Sequence, residues 1–492
     1  MYKIKELINI LNLKEDEYEL YGNYKAKLNI KPNKKGKLIL VTSINPTPFG
    51  EGKTTLSIGL VDSLNKIGIN ACGALREPSL GPVFGRKGGA IGGGKAKIEP
   101  EDDINLHFNG DFHAIESANN LLCAIIDNHI YQGNELGIDR VTFNRCMDMN
   151  DRALRHIKLD TREEKFDITP ASEMMAIFCL SKDLEDLKNK IGNIIVGYTK
   201  EDKPVFAKEL NCVNAMTLLL KEALKPNLVS TLYGNPVIVH GGPFANIAHG
   251  CNSIIATDTA LSLSDYVVTE AGFGSDCGAL KFFDIKSRFD DLNPICVIIN
   301  VTVKALKYNG ENSLEKGICN LEFHIENMKK FNDNVIVSLN RYDDNTEEEI
   351  DYIRNYCKEL NTEFVVSSMY SDGETGCIEL ANKVLDLENT KKYEIYDVKE
   401  DIKTKIEKVC KLYGCNKVEY KIDLKKYPDL PICIAKTPDS ITDNKNVLGY
   451  PKDFTMTVTD IKVNNGAGFI IVYMGGVLTM PGLGKNSKYL EM

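Results

Sequence analysis

The sequence of 492 residues contains no tryptophan and only seven histidines. It also has no long apolar run near its start, because Met1 to Leu20 is a charged amphipathic stretch. That stretch is too polar for a secretory signal or a membrane span, so we expect a cytoplasmic protein with no membrane partner. The formal net charge of -9 argues against nucleic acid as a partner.

A short-spaced cysteine framework is also missing, although the chain has 14 cysteines. The closest pair, Cys410 and Cys415, has no histidine nearby at the spacing of a zinc site. We therefore expect free thiols in a reducing compartment.

What is present is the composition of a globular protein, with 43% hydrophobic and 26% charged residues. The length exceeds what a single core supports, so two or three domains are expected. Strand-like and helical runs alternate, which predicts an α/β fold with parallel sheets. We predict strands at 38–44, 69–74, 235–240, 265–269, 294–300, 334–340 and 363–367, and helices at 115–131, 173–189 and 346–360.

The most informative motif is a glycine-rich loop between an apolar strand and a helical pattern. The loop consists of Thr47, Pro48, Phe49, Gly50, Glu51, Gly52, Lys53, Thr54 and Thr55. Backbone N–H groups at such a junction can approach phosphate oxygens. Lys53 would reach the β- and γ-phosphates of a nucleoside triphosphate, and Thr54 would ligate Mg²⁺. Thr47 replaces the first glycine of the P-loop motif, so a glycine-rich turn with a surface lysine is the alternative.

Other polar or glycine-rich turns also follow predicted strands. They are Arg76-Glu77, His240–Phe244, Glu270–Gly274 and Asn340–Tyr342. In parallel sheets, ligands bind outside the carboxyl ends of the strands. Arg76 opens a segment with seven glycines between Ser79 and Gly94 and is suited to clamp a phosphoryl or acyl-phosphate group. The alternative is a surface loop with an ordinary salt-bridged arginine.

A possible metal site lies in the segment Asp103–His113. Strand alternation would place Asp103, Asn105 and His107 on one face. Buried hydrogen-bonded histidines are more common than histidine ligands, so we weigh this site below a structural role.

Several longer segments together resemble formate–tetrahydrofolate ligase. The matching segments are Asn45–Thr55, Arg76–Gly85, Asp103–Phe108, Asp148–Leu154, His240–Gly250, Val268–Gly274, Gly466–Phe469 and Thr479–Leu483. They run in the family's order and cover nearly the whole chain. The resemblance implies an α/β enzyme with a P-loop-containing parallel-sheet core, three domains and a homotetrameric assembly.

The activity that this resemblance implies is the MgATP-dependent ligation of formate to tetrahydrofolate, with K⁺ or NH₄⁺ as an activating cation. Formate would attack the γ-phosphate to give formyl phosphate, and the N10 amine of the folate would then accept the formyl group. Lys53, Arg76 and Glu77 would line the catalytic pocket. Phe273 and Gly274 would border the ATP site, and the turns that contain Gly468, Phe469 and Pro481 would flank the adenine.

The resemblance also gives a domain division. Residues 1–135 with about 230–335 would form the nucleotide-binding domain. Residues 136–229 would be an inserted α/β segment, and 336–492 would complete the folate and adenine sites.

The chain departs from the family pattern around the folate. Tyr342 and Tyr370 occupy the places of the two aromatic residues that stack on the pterin. Other departures are Lys95, Lys97, Asp372, Pro438 and Asp439, and the chain is shortened before Pro428. Neutral drift explains these changes about as well as altered function does. The functional alternative is a paralogue that converts 10-formyldihydrofolate, ADP and phosphate into formate and ATP. A P-loop switch ATPase and a non-catalytic folate-binding protein are weaker alternatives.

Overall fold

The computed structural model is built around a twelve-stranded mixed sheet. It describes residues 1–85, 90–159, 162–388 and 393–490, so residues 86–89 of the predicted glycine-rich segment lie outside the described residues. In chain order the strands are β1 (Tyr18–Tyr21), β2 (Lys25–Leu28), β3 (Lys37–Ser43), β4 (Ala71–Leu75), β5 (Gly92–Gly93), β6 (Ala96–Glu99), β7 (Arg140–Val141), β8 (Arg145–Met147), β9 (Ile157–Lys158), β10 (Glu163–Glu164), β11 (Phe166–Ile168), β12 (Ile195–Tyr198), β13 (Pro204–Phe206), β14 (Asn227–Thr231), β15 (Pro236–Val239), β16 (Tyr266–Glu270), β17 (Cys296–Val301), β18 (Val335–Asn340), β19 (Glu363–Ser367), β20 (Lys417–Tyr420), β21 (Ile432–Ala435), β22 (Thr455–Asn464) and β23 (Phe469–Met474).

Ten strands of the main sheet follow the order β1-β2-β14-β15-β4-β16-β3-β17-β18-β19, and the other two lie off this path, with β6 paired to β14 and β5 paired to β6. The strands from β15 to β19 along this order are parallel. These seven strands are the ones that the sequence predicts, which confirms the parallel α/β class. The prediction works because both faces of the sheet are covered: Leu38 and Leu40 of β3 enter one core, and Ile39 and Val41 enter another.

Smaller sheets surround the main one. The strands β20-β22-β23-β21 form a four-stranded sheet, and β13-β12-β7 form a three-stranded sheet. Two two-stranded pairs, β9 with β10 and β8 with β11, complete the sheets.

The helices connect and cover these strands. They are α1 (Ile4–Ile10), α2 (Lys53–Lys66), α3 (Leu80–Phe84), α4 (Glu101–Asn105), α5 (Asp111–Tyr131), α6 (Glu173–Leu180), α7 (Leu184–Gly192), α8 (Val213–Leu220), α9 (Ile254–Leu263), α10 (Ser287–Asp290), α11 (Val303–Asn309), α12 (Leu314–Met328), α13 (Glu347–Glu359), α14 (Met369–Asp372), α15 (Ile378–Leu385) and α16 (Ile402–Leu412). None of the helices within the described ranges is both long enough and apolar enough to cross a lipid bilayer.

Two of the three predicted helices are confirmed and the third is divided. Thr346 caps α13 through a reciprocal capping box with Glu349, as a cap followed by acids in the first turn predicts. The predicted helix 173–189 is interrupted between α6 and α7, where Asp183 accepts a hydrogen bond from the N–H of Asp186 and begins a new helix.

The segment Asp103–His113 is not a strand, so the predicted one-face arrangement of Asp103, Asn105 and His107 is wrong. Residues Glu101–Asn105 form α4, whose first turn contains three acids that favour the positive end of a helix. No group of three or more histidine, cysteine, aspartate or glutamate side chains in the described part of the chain is arranged to hold a metal. All 14 cysteines are free thiols, as expected.

Candidate functional site

The glycine-rich loop joins the end of β3 to the start of α2. Gly50 and Gly52 have φ angles of +78° and +71°, and side chains rarely adopt this left-handed backbone. Within the loop, Glu51 Oε1 accepts hydrogen bonds from the backbone N–H and the hydroxyl of Thr47, each at 2.7 Å. The replacement of the first glycine by Thr47 is therefore compensated, because its hydroxyl and backbone N–H fix the Glu51 side chain.

Side chains at the ends of β17 and β18 also hydrogen-bond to the loop. Asn300 Nδ2 and Asn340 Nδ2 donate to the carbonyl oxygen of Glu51 at 2.7 Å and 3.1 Å. The loop is thus fixed to the carboxyl edge of the sheet on the side away from β16.

Lys53 is the first residue of α2 and reaches across the sheet edge. Its ammonium donates to the carbonyl oxygen of Phe273 at 3.0 Å and to that of Ala271. Phe273 has a φ of +57°, and its carbonyl also accepts from Ser43 Oγ at 3.0 Å. The turn after β16 therefore lies against the loop after β3, and a role of Phe273 and Gly274 at the ATP site stays a prediction.

Arg76, Glu270 and Thr54 meet at the carboxyl ends of neighbouring strands. Thr54 Oγ1 donates to Glu270 Oε2 at 2.9 Å, and Arg76 Nη2 lies 3.7 Å from Glu270 Oε1. Arg76 Nη1 also donates to the carbonyl oxygen of Pro243 at 3.2 Å. Arg76 Nε is buried and has no hydrogen-bond partner within the described residues. A buried donor of this kind is costly unless an acceptor meets it, so this nitrogen suits an anionic ligand.

Gly272 allows the close approach of Arg76. A Cβ atom at this position would lie 2.6 Å from Arg76 Nη1, so a side chain there would displace the guanidinium. The packing of Arg76 therefore explains why residue 272 of the Glu270–Gly274 turn is a glycine.

Glu77 follows Arg76 and is 5% exposed. Burial raises the pKa of its carboxyl well above the ordinary value, and the negative charges of Asp111 and Asp148 add to this shift against the opposing charge of Lys27. Its Oε2 has no hydrogen-bond partner in the described part of the chain. A protonated carboxyl in this place can donate a hydrogen bond to an oxyanion.

Two histidines of the segment His240–Gly250 are fully buried near Arg76. Burial lowers the pKa of His240 to about 4 and that of His249 to about 3, so both rings are neutral. His240 Nδ1 is 2.7 Å from Ser253 Oγ, and neither ring nitrogen of His249 has a hydrogen-bond partner among the described residues.

The predicted folate residues lie beside the glycine-rich loop. Tyr370 is 55% exposed, and its carbonyl accepts from the N–H of Lys95 at 2.9 Å. Its ring lies 3.2 Å from the place where a Cβ of Gly93 would stand. Burial raises the pKa of Tyr342, and the next largest causes are the charge of Glu51 and then Tyr370. Glu51 and Tyr370 therefore both lie within electrostatic range of Tyr342.

The residues that depart from the family pattern near the two tyrosines and the glycine-rich loop differ in their surroundings. Lys95 and Asp372 are exposed, while Lys97 forms a 3.0 Å ion pair with Glu101. The carbonyl oxygen of Pro438 accepts from Asn45 Nδ2 at 3.3 Å, at the entrance of the glycine-rich loop. Phe49 is exposed at the tip of this loop, where Lys304 Nζ lies 4.2 Å from the centre of its ring.

The residues predicted to flank the adenine have surroundings of another kind. Phe469 is fully buried in a core with residues of α5 and α6. Gly468 has a φ of +80° and faces the ring of Phe289. Pro481 follows Met480, which is buried against Ile168 and Ile247. These contacts do not involve the glycine-rich loop, so a role at the adenine stays a prediction for all three residues.

Sequence reasoning missed the roles of Glu270, Asn300 and Asn340. Glu270 and Asn340 stood in turns recognised as functional, yet the roles there were given to Phe273, Gly274 and Tyr342. Asn300 is the next-to-last residue of an apolar strand, and a polar side chain at that place is the signal that would have indicated it.

The glycine-rich loop, Arg76 and Glu270 thus meet at the carboxyl edge of the parallel strands. The family model described as formate–tetrahydrofolate ligase matches residues 1–492. The match therefore extends over the whole chain. The chain therefore belongs to the formate–tetrahydrofolate ligase family, whose members are enzymes that form a C–N bond in one-carbon metabolism.

Proposed function

We propose that this enzyme ligates formate to tetrahydrofolate through formyl phosphate, with the Thr47–Thr55 loop as its ATP phosphate site. The single observation that carries the proposal is the meeting of Arg76, Glu270 and Thr54 beside this loop, with Arg76 Nε buried and unpartnered in the described residues. Three strand ends and a helix start contribute to one anion site, which is the arrangement that phosphoryl transfer needs.

In the first step a formate oxygen attacks the γ-phosphorus of ATP, and the bond to ADP breaks. Loop N–H groups and Lys53 would bind the phosphates, while Arg76 would hold the formate and then the formyl phosphate. Thr54 Oγ1 and the Glu270 carboxylate are oxygen donors placed to hold Mg²⁺, which would offset charge on the transferred group. Glu77, protonated because it is buried, would donate a hydrogen bond to an oxygen of the acyl phosphate.

In the second step N10 of tetrahydrofolate attacks the formyl carbon, inorganic phosphate leaves and N10 loses a proton. Tyr342 and Tyr370 would stack on the pterin, because Tyr342 is close enough to Glu51 for its pKa to respond to that charge and Tyr370 packs against Gly93 and Gly94. A monovalent cation, a cytoplasmic homotetramer and the three-domain division belong to the same proposal and are supported by the family membership.

A substrate panel on the purified full chain tests the proposal. ADP release should require both formate and tetrahydrofolate, and 10-formyltetrahydrofolate should form in equal amount. With formate but no folate, ATP labelled with ¹⁸O in the β,γ-bridge should exchange its label, because formyl phosphate forms reversibly. ATP hydrolysis that depends on neither formate nor folate would contradict the proposal and indicate a switch ATPase.

The reverse use of 10-formyldihydrofolate is a second candidate. It is favoured by the hydroxyl groups that Tyr342 and Tyr370 bring to the predicted pterin site, since these can hydrogen-bond to an altered ring. Synthesis of ATP from ADP, phosphate and 10-formyldihydrofolate would support it. Ordinary ligase rates with tetrahydrofolate, with no ATP from the dihydro compound, would exclude it.

A further inference from the structure

Two asparagines from neighbouring strands hold one backbone oxygen of the glycine-rich loop. Asn300 is next to last in β17 and Asn340 ends β18, and both amides donate to the Glu51 carbonyl. Both side chains are buried, with exposures of 0% and 2%. Because a buried amide without partners is costly, these bonds fix the Glu51–Gly52 peptide above the sheet edge.

The Asn340 amide packs directly against Gly52 of this peptide. A Cβ atom on Gly52 would lie only 2.6 Å from Asn340 Nδ2. Glu51 also orders the rest of the loop, because its carboxylate accepts from Thr47. The loop conformation and the position of the Asn340 side chain therefore depend on each other.

The two asparagines lead into different parts of the chain. Asn300 is followed by Val301 and by Thr302, which caps α11. Asn340 is followed two residues later by Tyr342, the predicted pterin-stacking residue, whose phenol is close enough to Glu51 to sense its charge. Of these two strand ends, the one at Asn340 thus connects the loop with the folate side.

We propose that Asn340 is a positioning residue that couples nucleotide binding at the loop to folate binding at Tyr342. This inference rests on the proposed function. A nucleotide that orders the Glu51–Gly52 peptide also orders Asn340, and through two residues of backbone it orients the Tyr342 ring. Coupling between binding sites is reciprocal, so folate tightens nucleotide binding by the same factor. Asn300 supports the loop and does not transmit this coupling.

The test measures the affinity of MgADP by calorimetry, with and without saturating tetrahydrofolate. The proteins are the wild type, Asn340→Leu and its matched control Asn300→Leu. Without folate, both variants should bind MgADP about three- to tenfold more weakly, the effect of one lost hydrogen bond. Folate should tighten MgADP binding at least about fivefold in the wild type and in Asn300→Leu. In Asn340→Leu the ratio of the MgADP affinities with and without folate should fall below about twofold.

A second variant keeps the proposal testable if Asn340→Leu does not fold. Asn340→Ala removes the same donor without adding bulk, so it should bind MgADP about three- to tenfold more weakly without folate and should also show a folate effect below about twofold. A wild-type ratio near one, an equal loss of the ratio in Asn300→Leu, or a full ratio in Asn340→Leu or Asn340→Ala would overturn the coupling. If the wild type binds no MgADP or no tetrahydrofolate, the proposed function itself fails.

Discussion

Arg76 and Glu270 face each other at the carboxyl ends of β4 and β16, with 3.7 Å between Arg76 Nη2 and Glu270 Oε1. The same carboxylate accepts a hydrogen bond from Thr54 at the start of α2. One glutamate therefore connects the helix that begins at the glycine-rich loop with the guanidinium proposed to hold the acyl phosphate.

Replacing Arg76 by alanine should abolish formate-dependent turnover and leave nucleotide binding largely intact. Loss of a donor aimed at developing negative charge lowers kcat by about 10²–10³-fold. MgADP contacts the loop and Lys53 in the proposal, so its affinity should change by less than about threefold. Rates of ADP release and calorimetric affinities measure the two effects. Arg140→Ala is the matched control, because Arg140 is an exposed arginine paired with Asp202. Full turnover in Arg76→Ala would contradict the proposed role of Arg76 in holding the acyl phosphate.

A buried ion pair near Glu77 should be essential for stability. Lys27 and Asp111 are 1% and 0% exposed, with 2.7 Å between Lys27 Nζ and Asp111 Oδ1. Lys27→Met leaves a buried carboxylate without its cation, which should lower the free energy of unfolding by about 3–5 kcal/mol. Urea unfolding measures the loss. Lys66→Met, which breaks the exposed pair with Glu374, should cost less than about 1 kcal/mol. Equal costs for the two variants would show that burial of the pair is not what matters.

Asp62 on α2 should make stability fall as pH rises. Its Oδ1 accepts from Thr231 and Asn235, its Oδ2 has no partner among the described residues, and burial raises its pKa to about 7. Between the unfolded pKa of about 4 and the folded one, only the folded state keeps the proton, so stability decreases with pH and stays low above pH 7.

Asp62→Asn should remove this loss, because the amide keeps the acceptor oxygen and carries no charge. We expect it to stabilise the protein by on the order of 2–4 kcal/mol at pH 8 and by almost nothing at pH 4, as measured by urea unfolding at both values. Asp351→Asn, at an exposed place on α13, is the control and should change stability by less than about 0.5 kcal/mol. An equal stabilisation by Asp62→Asn at pH 4 and pH 8 would contradict the prediction that ionisation of Asp62 lowers the stability.

Cys415 should be the first thiol to react with an alkylating reagent at pH 7. It is partly exposed, and a hydrogen bond from the Cys410 thiol lowers its pKa to about 6. Since the thiolate is the nucleophile, iodoacetamide should modify Cys415 about tenfold faster than the other partly exposed thiol, Cys319. Peptide mass spectrometry over time measures both rates. Cys410→Ser should slow the reaction if the neighbouring thiol is the cause, and equal rates for Cys415 and Cys319 would contradict the prediction.

The sequence predicts elements well where one local pattern decides them. The seven parallel strands are apolar runs, because each is buried on both faces. Thr346 followed by three glutamates predicts the start of α13 for the same local reason. The segment 173–189 reads as one helix because its apolar spacing continues, yet the cap at Asp183 divides it. At Asp103–His107 the acids of a first helical turn are a stronger signal than alternation of polar residues.

The same distinction between local pattern and tertiary structure applies to the candidate site. The sequence by itself predicts the glycine-rich loop and Arg76 from turns that follow strands, and it predicts Glu77 and the two tyrosines from the family resemblance. Only the tertiary structure decided that Thr54 meets Glu270, 216 residues away, and that Asn300 and Asn340 share the Glu51 carbonyl across 249 and 289 residues. These contacts depend on the order of strands in the sheet, and no pattern within a single segment contains that order.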